Sequence, residues 1–314
     1  MLTFSHILHI IFVNIMSYTE PLKNFKSQIR AINFDGILYK SSSSLPFMNS
    51  EGGNNSALYA LEILMNIPKN YSPVLRDFWG DLIFDMKAWA QKAQEYNCDI
   101  LALKFNINSE KEIDTAINLF KEILEISRKP LLITGANKKN LDVLLLPKLA
   151  NIPQKSCIFG MAEQDSYEGL AKIVAKKGHM IIARTPIDIN LAKELNILLT
   201  ESGVPKESIL IDTNMGALGY GLDYGYSIIE RVKLAGLDGD EMLNMPIVVF
   251  AGEEAWKAKE AKVDDFNSNY GSLKDRAIAW ECTTAASILL AGANILVLWH
   301  PDSIKGLKRF EGSL

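Results

Sequence analysis

The 314-residue chain has few of the residues that build metal and cluster sites. Its three cysteines, Cys98, Cys157 and Cys282, lie far apart, each in an apolar stretch, with no Cys-x-x-Cys pair. This spacing excludes an iron–sulfur cluster or structural zinc site on this chain. It reads the three as reduced core residues of an intracellular, cytoplasmic protein. Of the four histidines, His6 and His9 fall in the first nine residues, leaving His179 and His300. No Ser-His-Asp or Cys-His grouping is visible. An excess of positive charge is also lacking: 33 Lys and Arg stand against 37 Asp and Glu, a net charge of −4, with no basic stripe or tail. Nucleic acid is therefore not an expected partner. Long apolar runs are scarce too. The one membrane-like stretch, MLTFSHILHIIFVNIM (residues 1–16), is short for a span and lacks a basic n-region and a small-residue cleavage site. Residues 1–25 are read as an N-terminal extension, disordered or the product of an over-extended start, with a weak anchor as the alternative; no membrane partner is expected.

What the chain does contain is a soluble globular composition, 48% hydrophobic and 22% charged, and a repeating pattern. Residues 30–39 (RAINFDGILY) read as a strand or hairpin arm, and the serines at 41–44 as a loop, so residues 26–55 lead into the main domain. From residue 56 to 314, short apolar runs recur at 58–64, 98–103, 130–134, 156–160, 179–183, 208–211, 246–250 and 294–298. Amphipathic segments separate them: 86–96, 110–128, 141–150, 167–176, 187–202 and 276–290. Strands this continuously apolar are buried on both faces, and eight such units alternating with helices predict a (β/α)8 TIM barrel, with a short N-terminal extension. A doubly wound sheet is the competitor, but no phosphate-binding first turn marks it. Residues 264–271 look like an insertion before the final helix.

Chemistry in such a barrel belongs at the C-terminal ends of the strands. The residues falling there are Asn66, Lys104, Asn106, Thr134, Asn137, Glu163, Gln164, Arg184, Asp212, Asn214, Glu253, Glu254 and His300. The set is polar but poor in nucleophiles. Glu163, Glu253 and Glu254 can supply acid–base pairs or metal ligands, or can simply be carboxylates at helix starts, as Asp188 is read to be. Arg184, leaving an apolar strand, needs a carboxylate or phosphate partner, from a neighbour or a ligand. His179 opens a strand on the opposite face and reads as structural. His300, just before Pro301, reads equally as a cap or turn residue. After Asp212 come Gly216, Gly219 and Gly221, then apolar residues at helical spacing: Tyr224, Ile228, Ile229, Val232, Leu234 and Ala235. The order G-x-x-G-x-G with no following lysine is neither the dinucleotide fingerprint nor a P-loop. It calls for positive φ or a close approach to the backbone, in a plain strand-to-helix connection or against a ligand.

Five stretches together resemble the small subunit of the corrinoid iron–sulfur protein, the delta subunit of the acetyl-CoA decarbonylase/synthase complex. They are GMAEQDSYEGLAKI (160–173), IIARTPIDINLAKELNIL (181–198), GALGYGLDYGYSIIERVKLAGLDGDEML (216–243), EEAWKAKEAK (253–262) and AGANILVLWHP (291–301). Residues 45–52, LPFMNSEG, are similar to a further segment. The chain departs from the family pattern at Asn66, Met161 and Thr213. The resemblance implies a (β/α)8 barrel that pairs with a large subunit carrying a [4Fe–4S] cluster and a corrinoid domain. The cobamide would then be shared at the interface, facing Glu163, Gln164, Arg184, Asp212, Asn214, Gly216, Gly219 and Gly221, with no iron–sulfur cluster, catalytic residue or metal ligand on this chain. It implies two further partners, a methyltetrahydropterin methyltransferase and acetyl-CoA synthase/CO dehydrogenase, in the acetyl-CoA (Wood–Ljungdahl) pathway. The absence of a D-x-H-x-x-G motif agrees with a corrinoid domain on another chain. A stand-alone methyltetrahydropterin-dependent methyltransferase barrel is the alternative.

Overall fold

The structure, a computed structural model, describes residues 25–39 and 56–312. The expectations for residues 1–16, 41–44 and 45–52 lie outside the described residues.

Eight parallel strands form the barrel: β3 (Leu58–Leu64), β4 (Ile100–Lys104), β5 (Leu131–Thr134), β6 (Ile158–Ala162), β7 (Met180–Arg184), β8 (Ile209–Asp212), β9 (Val248–Val249) and β10 (Ile295–Leu298). Each pairs with the next in sequence from β3 to β8, and β10 lies between β3 and β9. A single bridge between Ile211 and Ile247 joins β8 to the segment leading into β9 and closes the ring. All eight expected runs became strands.

Their continuous apolar sequence follows from burial on two faces. Alternate residues point inward or outward. Ala60, Ala102, Leu132, Ile158, Ile182, Leu210, Val248 and Val297 form one buried cluster inside the ring. Leu61, Leu101, Ile133, Phe159, Ile181, Ile211, Val249 and Leu296 belong to a second, larger cluster with the surrounding helices. Continuing the inward parity by one step toward the C-terminal end reaches Glu62, Lys104, Thr134, Arg184, Asp212 and Trp299. The apolar filling thus gives way to polar side chains at the mouth.

The helices are α1 (Pro73–Trp79), α2 (Met86–Ala93), α3 (Ile113–Ile126), α4 (Lys139–Ala150), α5 (Tyr167–Lys177), α6 (Ile189–Glu201), α7 (Leu222–Leu237), the short α8 (Ala251–Ala255), α9 (Leu273–Ala291) and α10 (Pro301–Glu311). Asp188 caps α6 as expected, accepting from the backbone N–H groups of Asn190 and Leu191 at 2.7 and 3.1 Å. Two expectations are corrected. The helix over residues 276–290 is not the last, because Pro301 starts α10 at a position where its missing N–H costs nothing. Tyr224 leaves the apolar face of α7 and is 65% exposed, while Gly225 packs inward.

The hairpin reading of residues 30–39 holds. β1 (Ile32–Phe34) and β2 (Ile37–Tyr39) pair antiparallel across an Asp35-Gly36 turn with both φ angles positive. Ile32 and Phe34 enter the interior cluster. Asp35 pairs with Lys155, ahead of β6, and the Arg30 backbone N–H bonds the Asn244 carbonyl, ahead of β9. The hairpin therefore seals the N-terminal end of the barrel.

Candidate functional site

The mouth is built around buried charges that pair with each other. Adjacent parallel strands place Arg184 of β7 in register with Asp212 of β8. The Arg184 Nε donates to Asp212 Oδ2 at 2.7 Å, with side-chain exposures of 14% and 2%. Burial opposes the Arg184 charge, but the Asp212 carboxylate more than offsets it, and the guanidinium pKa is raised. The guanidinium also lies 5.3 Å from the centre of the Phe250 ring. Its partner is thus a neighbour within the barrel.

A second pair joins Lys104 of β4 to Glu253 in the first turn of α8. Lys257 approaches Glu253 at 3.4 Å and Glu254 at 2.7 Å. Burial works against the charge of Glu253, yet Lys104 and Lys257 outweigh it and hold its pKa down to about 2. Beneath this pair lies Glu62, a carboxyl 1% exposed inside β3. Its Oε2 accepts from Trp299 Nε1 at 2.6 Å, and its Oε1 has no partner among the described residues. Burial raises its pKa, against the pull of Lys104. The sequence reading missed Glu62; the one available signal was a lone charge in a seven-residue apolar run.

Two loops at the mouth turn through left-handed backbone on asparagine rather than glycine: Asn137 at φ 56° and Asn214 at φ 57°. Asparagine tolerates this region better than most residues because its short side chain bonds locally. The Asn214 N–H donates to Asp212 Oδ1 at 2.9 Å, and its own Oδ1 accepts from the Met215 N–H at 3.1 Å. Asn137 Oδ1 accepts from Arg184 Nη1 at 3.2 Å.

Glu163, Gln164, Arg184 and Asn214 come together around a cavity of about 480 Å³, with Thr185 and Leu191. Burial raises the Glu163 pKa, with Arg184 opposing. Arg184 and Asn214 are shared with an adjoining cavity of about 190 Å³, which Asp212, Asn137 and Glu253 also line. The glycines lie apart from these. Gly219 and Gly221, at φ 76° and 92°, line a separate recess of about 620 Å³ beside Leu222, Tyr226 and Leu290. The close approach at Gly216 is internal, because a Cβ there would overlap the Tyr220 carbonyl oxygen.

Asn66 and Asn106 clasp each other: the Asn66 N–H donates to Asn106 Oδ1 at 2.8 Å, and Asn106 Nδ2 donates to the Asn66 carbonyl at 2.6 Å. Both barrel histidines serve the fold. His179 Nδ1 accepts from the Cys157 N–H and Nε2 bonds the Ala150 carbonyl, at the end opposite the mouth. His300 is fully buried and caps α10, accepting from the Asp302 N–H at 3.1 Å. Burial pushes its pKa down to about 4. Glu281, hidden within α9, accepts from the N–H groups of Trp299 and His300 and from the Ser303 hydroxyl. Burial nonetheless lifts its pKa to about 7. Among the described residues no group of three or more His, Cys, Asp or Glu side chains is arranged to hold a metal ion. No helix of the described residues is long and apolar enough to cross a membrane.

Among solved structures the fold is similar to dihydropteroate synthase from Thermus thermophilus, with a TM-score of 0.58 and 12% identity over 87% of this chain and 100% of that one. The Yersinia pestis enzyme gives a TM-score of 0.56 at 12% identity, covering 90% and 98%. At that identity the likeness concerns the barrel alone. In sequence, the chain is 30% identical over 253 residues to the acetyl-CoA decarbonylase/synthase complex subunit delta of Archaeoglobus fulgidus, covering 76% of this chain and 56% of that protein. The Methanopyrus kandleri subunit delta is 29% identical over 238 residues, with coverages of 74% and 59%. The chain thus spans little more than half the length of these two relatives. It covers 77% of the Methanocaldococcus jannaschii subunit delta, at 27% identity over 321 residues. The model of the CO dehydrogenase/acetyl-CoA synthase delta subunit family matches residues 55–290, which take in all eight barrel strands but the last. The chain belongs to the CO dehydrogenase/acetyl-CoA synthase delta subunit family.

Proposed function

We propose that this chain is the barrel subunit of a corrinoid methyl-carrier assembly, covering with its mouth a corrinoid held jointly with a larger subunit that bears a [4Fe–4S] cluster. The observation that carries this reading is the state of the charged groups at the mouth. Arg184 is bound to Asp212, and Lys104 and Lys257 to Glu253. Buried pairs of this kind fix a wall rather than supply a free acid or base. Nitrogen donors of Arg184, Asn137 and Asn214 remain at its surface.

A corrinoid, when bound, supplies the cobalt centre that takes up and gives away a methyl group. The residues present fit a ligand gripped by its rim and not by its metal, since His179 is bonded through both ring nitrogens and His300 is fully buried and caps α10. Arg184, Asn214 and Gln164 would orient that rim, Glu163 would border it, and the Phe250 ring would back the Arg184 guanidinium from below. The names of the relatives as complex subunits favour this reading over a stand-alone methyltransferase. The same assembly would exchange methyl groups with a methyltetrahydropterin methyltransferase and with acetyl-CoA synthase/CO dehydrogenase.

Co-expression with the large subunit tests the reading. Light scattering should show a stable heterodimer, as a permanent pair burying more than the roughly 1,600 Å² of a standard contact requires. Corrinoid absorbance should co-purify with the pair. A monomer at micromolar concentration beside the large subunit, or a pair without corrinoid, refutes it.

A further inference from the structure

We infer that Asn137, Asn214 and Arg184 form a three-donor reader of neutral carbonyl oxygens, which selects a ligand rim bearing carboxamides over one bearing carboxylates. The inference rests on the corrinoid reading above and specifies which part of that ligand this chain recognises.

The amide orientations are forced. Asn137 Oδ1 faces a guanidinium nitrogen, and Asn214 Oδ1 faces a backbone N–H. Both partners are donors only, so flipping either amide would set donor against donor. Each Nδ2 is therefore turned away from its partner and has no hydrogen bond among the described residues. Arg184 donates through Nε to Asp212 and through Nη1 to Asn137, leaving Nη2 without a partner among the described residues. All three residues line the same cavity of about 190 Å³.

The acceptors around that cavity are largely spent. Both Asp212 oxygens are bonded, one by Arg184 and one by the Asn214 N–H. Both Glu253 oxygens face lysines, and one Glu254 oxygen pairs with Lys257. The uncommitted side-chain atoms are thus mainly donors, Asn137 and Asn214 being exposed to whatever acceptor enters the cavity. Charge decides which acceptor. Arg184, Lys104 and Lys257 balance Asp212, Glu253 and Glu254, so the site has no net positive charge to offer an anion. A carboxylate entering this balanced set would lose its hydration with no spare cation to offset the cost, whereas a neutral amide carbonyl meets the same donors without that cost. The left-handed backbone at both asparagines fits the same purpose: it holds each amide on a short tether at the cavity wall.

The test uses the full chain in complex with its large subunit, freed of corrinoid. It is titrated with aquacobinamide, which carries carboxamides, and with cobyrinic acid, which carries carboxylates in their place. Readouts are quenching of tryptophan fluorescence and corrinoid absorbance retained after desalting. The wild-type complex should prefer the amide corrinoid by about tenfold or more. Asn137→Gly with Asn214→Gly keeps both left-handed turns, removes both amide donors and adds no charge, and should erase most of that preference. Asn214→Gly accepts the same backbone without strain and removes one amide; it should weaken cobinamide binding even if the double variant does not fold. Unchanged preference in a folded variant overturns the inference alone. A wild-type complex that takes up neither corrinoid overturns the corrinoid reading as well.

Discussion

Lys233 of α7 offers a quantitative test of how this fold tolerates a buried charge. The side chain is 2% exposed, and its one hydrogen bond runs from Nζ to the Gly292 carbonyl at 3.0 Å, just past the end of α9. Burial pushes its pKa from 10.5 down to about 8. At about 1.4 kcal/mol per pKa unit, a charged Lys233 at pH 7 costs the folded state about 3 kcal/mol. Lys233→Met keeps the length of the side chain and removes the charge, but it leaves the Gly292 carbonyl without its donor, a loss of about 1 kcal/mol. The net expectation is a stabilisation of about 2 kcal/mol at pH 7, a rise of a few degrees in melting temperature. The pH dependence has a fixed sign. Below about 8 the lysine is charged in both folded and unfolded chains, and the penalty is complete. Between about 8 and 10.5 the folded chain has lost the proton while the unfolded chain retains it, so the wild type gains stability as pH rises. The advantage of methionine should therefore shrink through that window and reverse above it. Calorimetric melts of both proteins from pH 7 to 10.5 measure this. A methionine variant that is less stable at pH 7, with no trend against pH, would refute the reasoning. It would show that the carbonyl end of α9 holds the ammonium charge at little cost.

Arg184→Ala leaves the Asp212 carboxylate buried without its cation, and should cost about 3 kcal/mol or more in denaturant titration. An unchanged midpoint would mean that Asp212 finds water or another donor in place of the guanidinium. The glycines after β8 should separate by mechanism. Gly219→Ala, with Trp280 the nearest atom at 3.8 Å, meets only the strain of its φ of 76° and should lose about 1 kcal/mol. Gly216→Ala meets the Tyr220 carbonyl and should lose more; equal melting temperatures for the two would contradict this. His300, with its pKa pushed down to about 4, must stay neutral in the folded chain. Its contribution to stability should decline as pH falls from 6.5 toward 4, and His300→Asn, a cap without a titrating group, should flatten that part of the profile.

The barrel was legible because its strands are buried on both faces, so each short apolar run marks one strand to within two residues at either end. Element ends were harder. The helix of α10 carries few apolar residues, among them Ile304 and Leu307, and periodicity alone passed over it. Tyr224 looked apolar by type but sits at the mouth end of α7, where little packs over it. Arg184 was recognisable as needing a partner, whereas the identity of that partner was not. Asp212 is 28 residues away and becomes its neighbour only through the register of adjacent strands. Glu62 and Glu281 stayed hidden for a related reason. A single carboxyl inside an apolar run or helix looks like noise until the groups it meets, Trp299 for one and the start of α10 for the other, are brought in from elsewhere in the chain.

The β1–β2 hairpin gives the barrel a direction. With side chains filling the interior and Ile32 and Phe34 covering its lower end, the only cup among the described residues is the shallow one at the mouth, and no conduit runs through the barrel. Any molecule seated at the upper rim must arrive and depart by the route along which another protein would dock. In the proposed assembly, loading and docking would then be ordered events: the occupant would enter before the covering surface closed, and would leave only when that surface tilted away. The rate of exchange would be set by the motion of the covering partner rather than by the affinity of the cup.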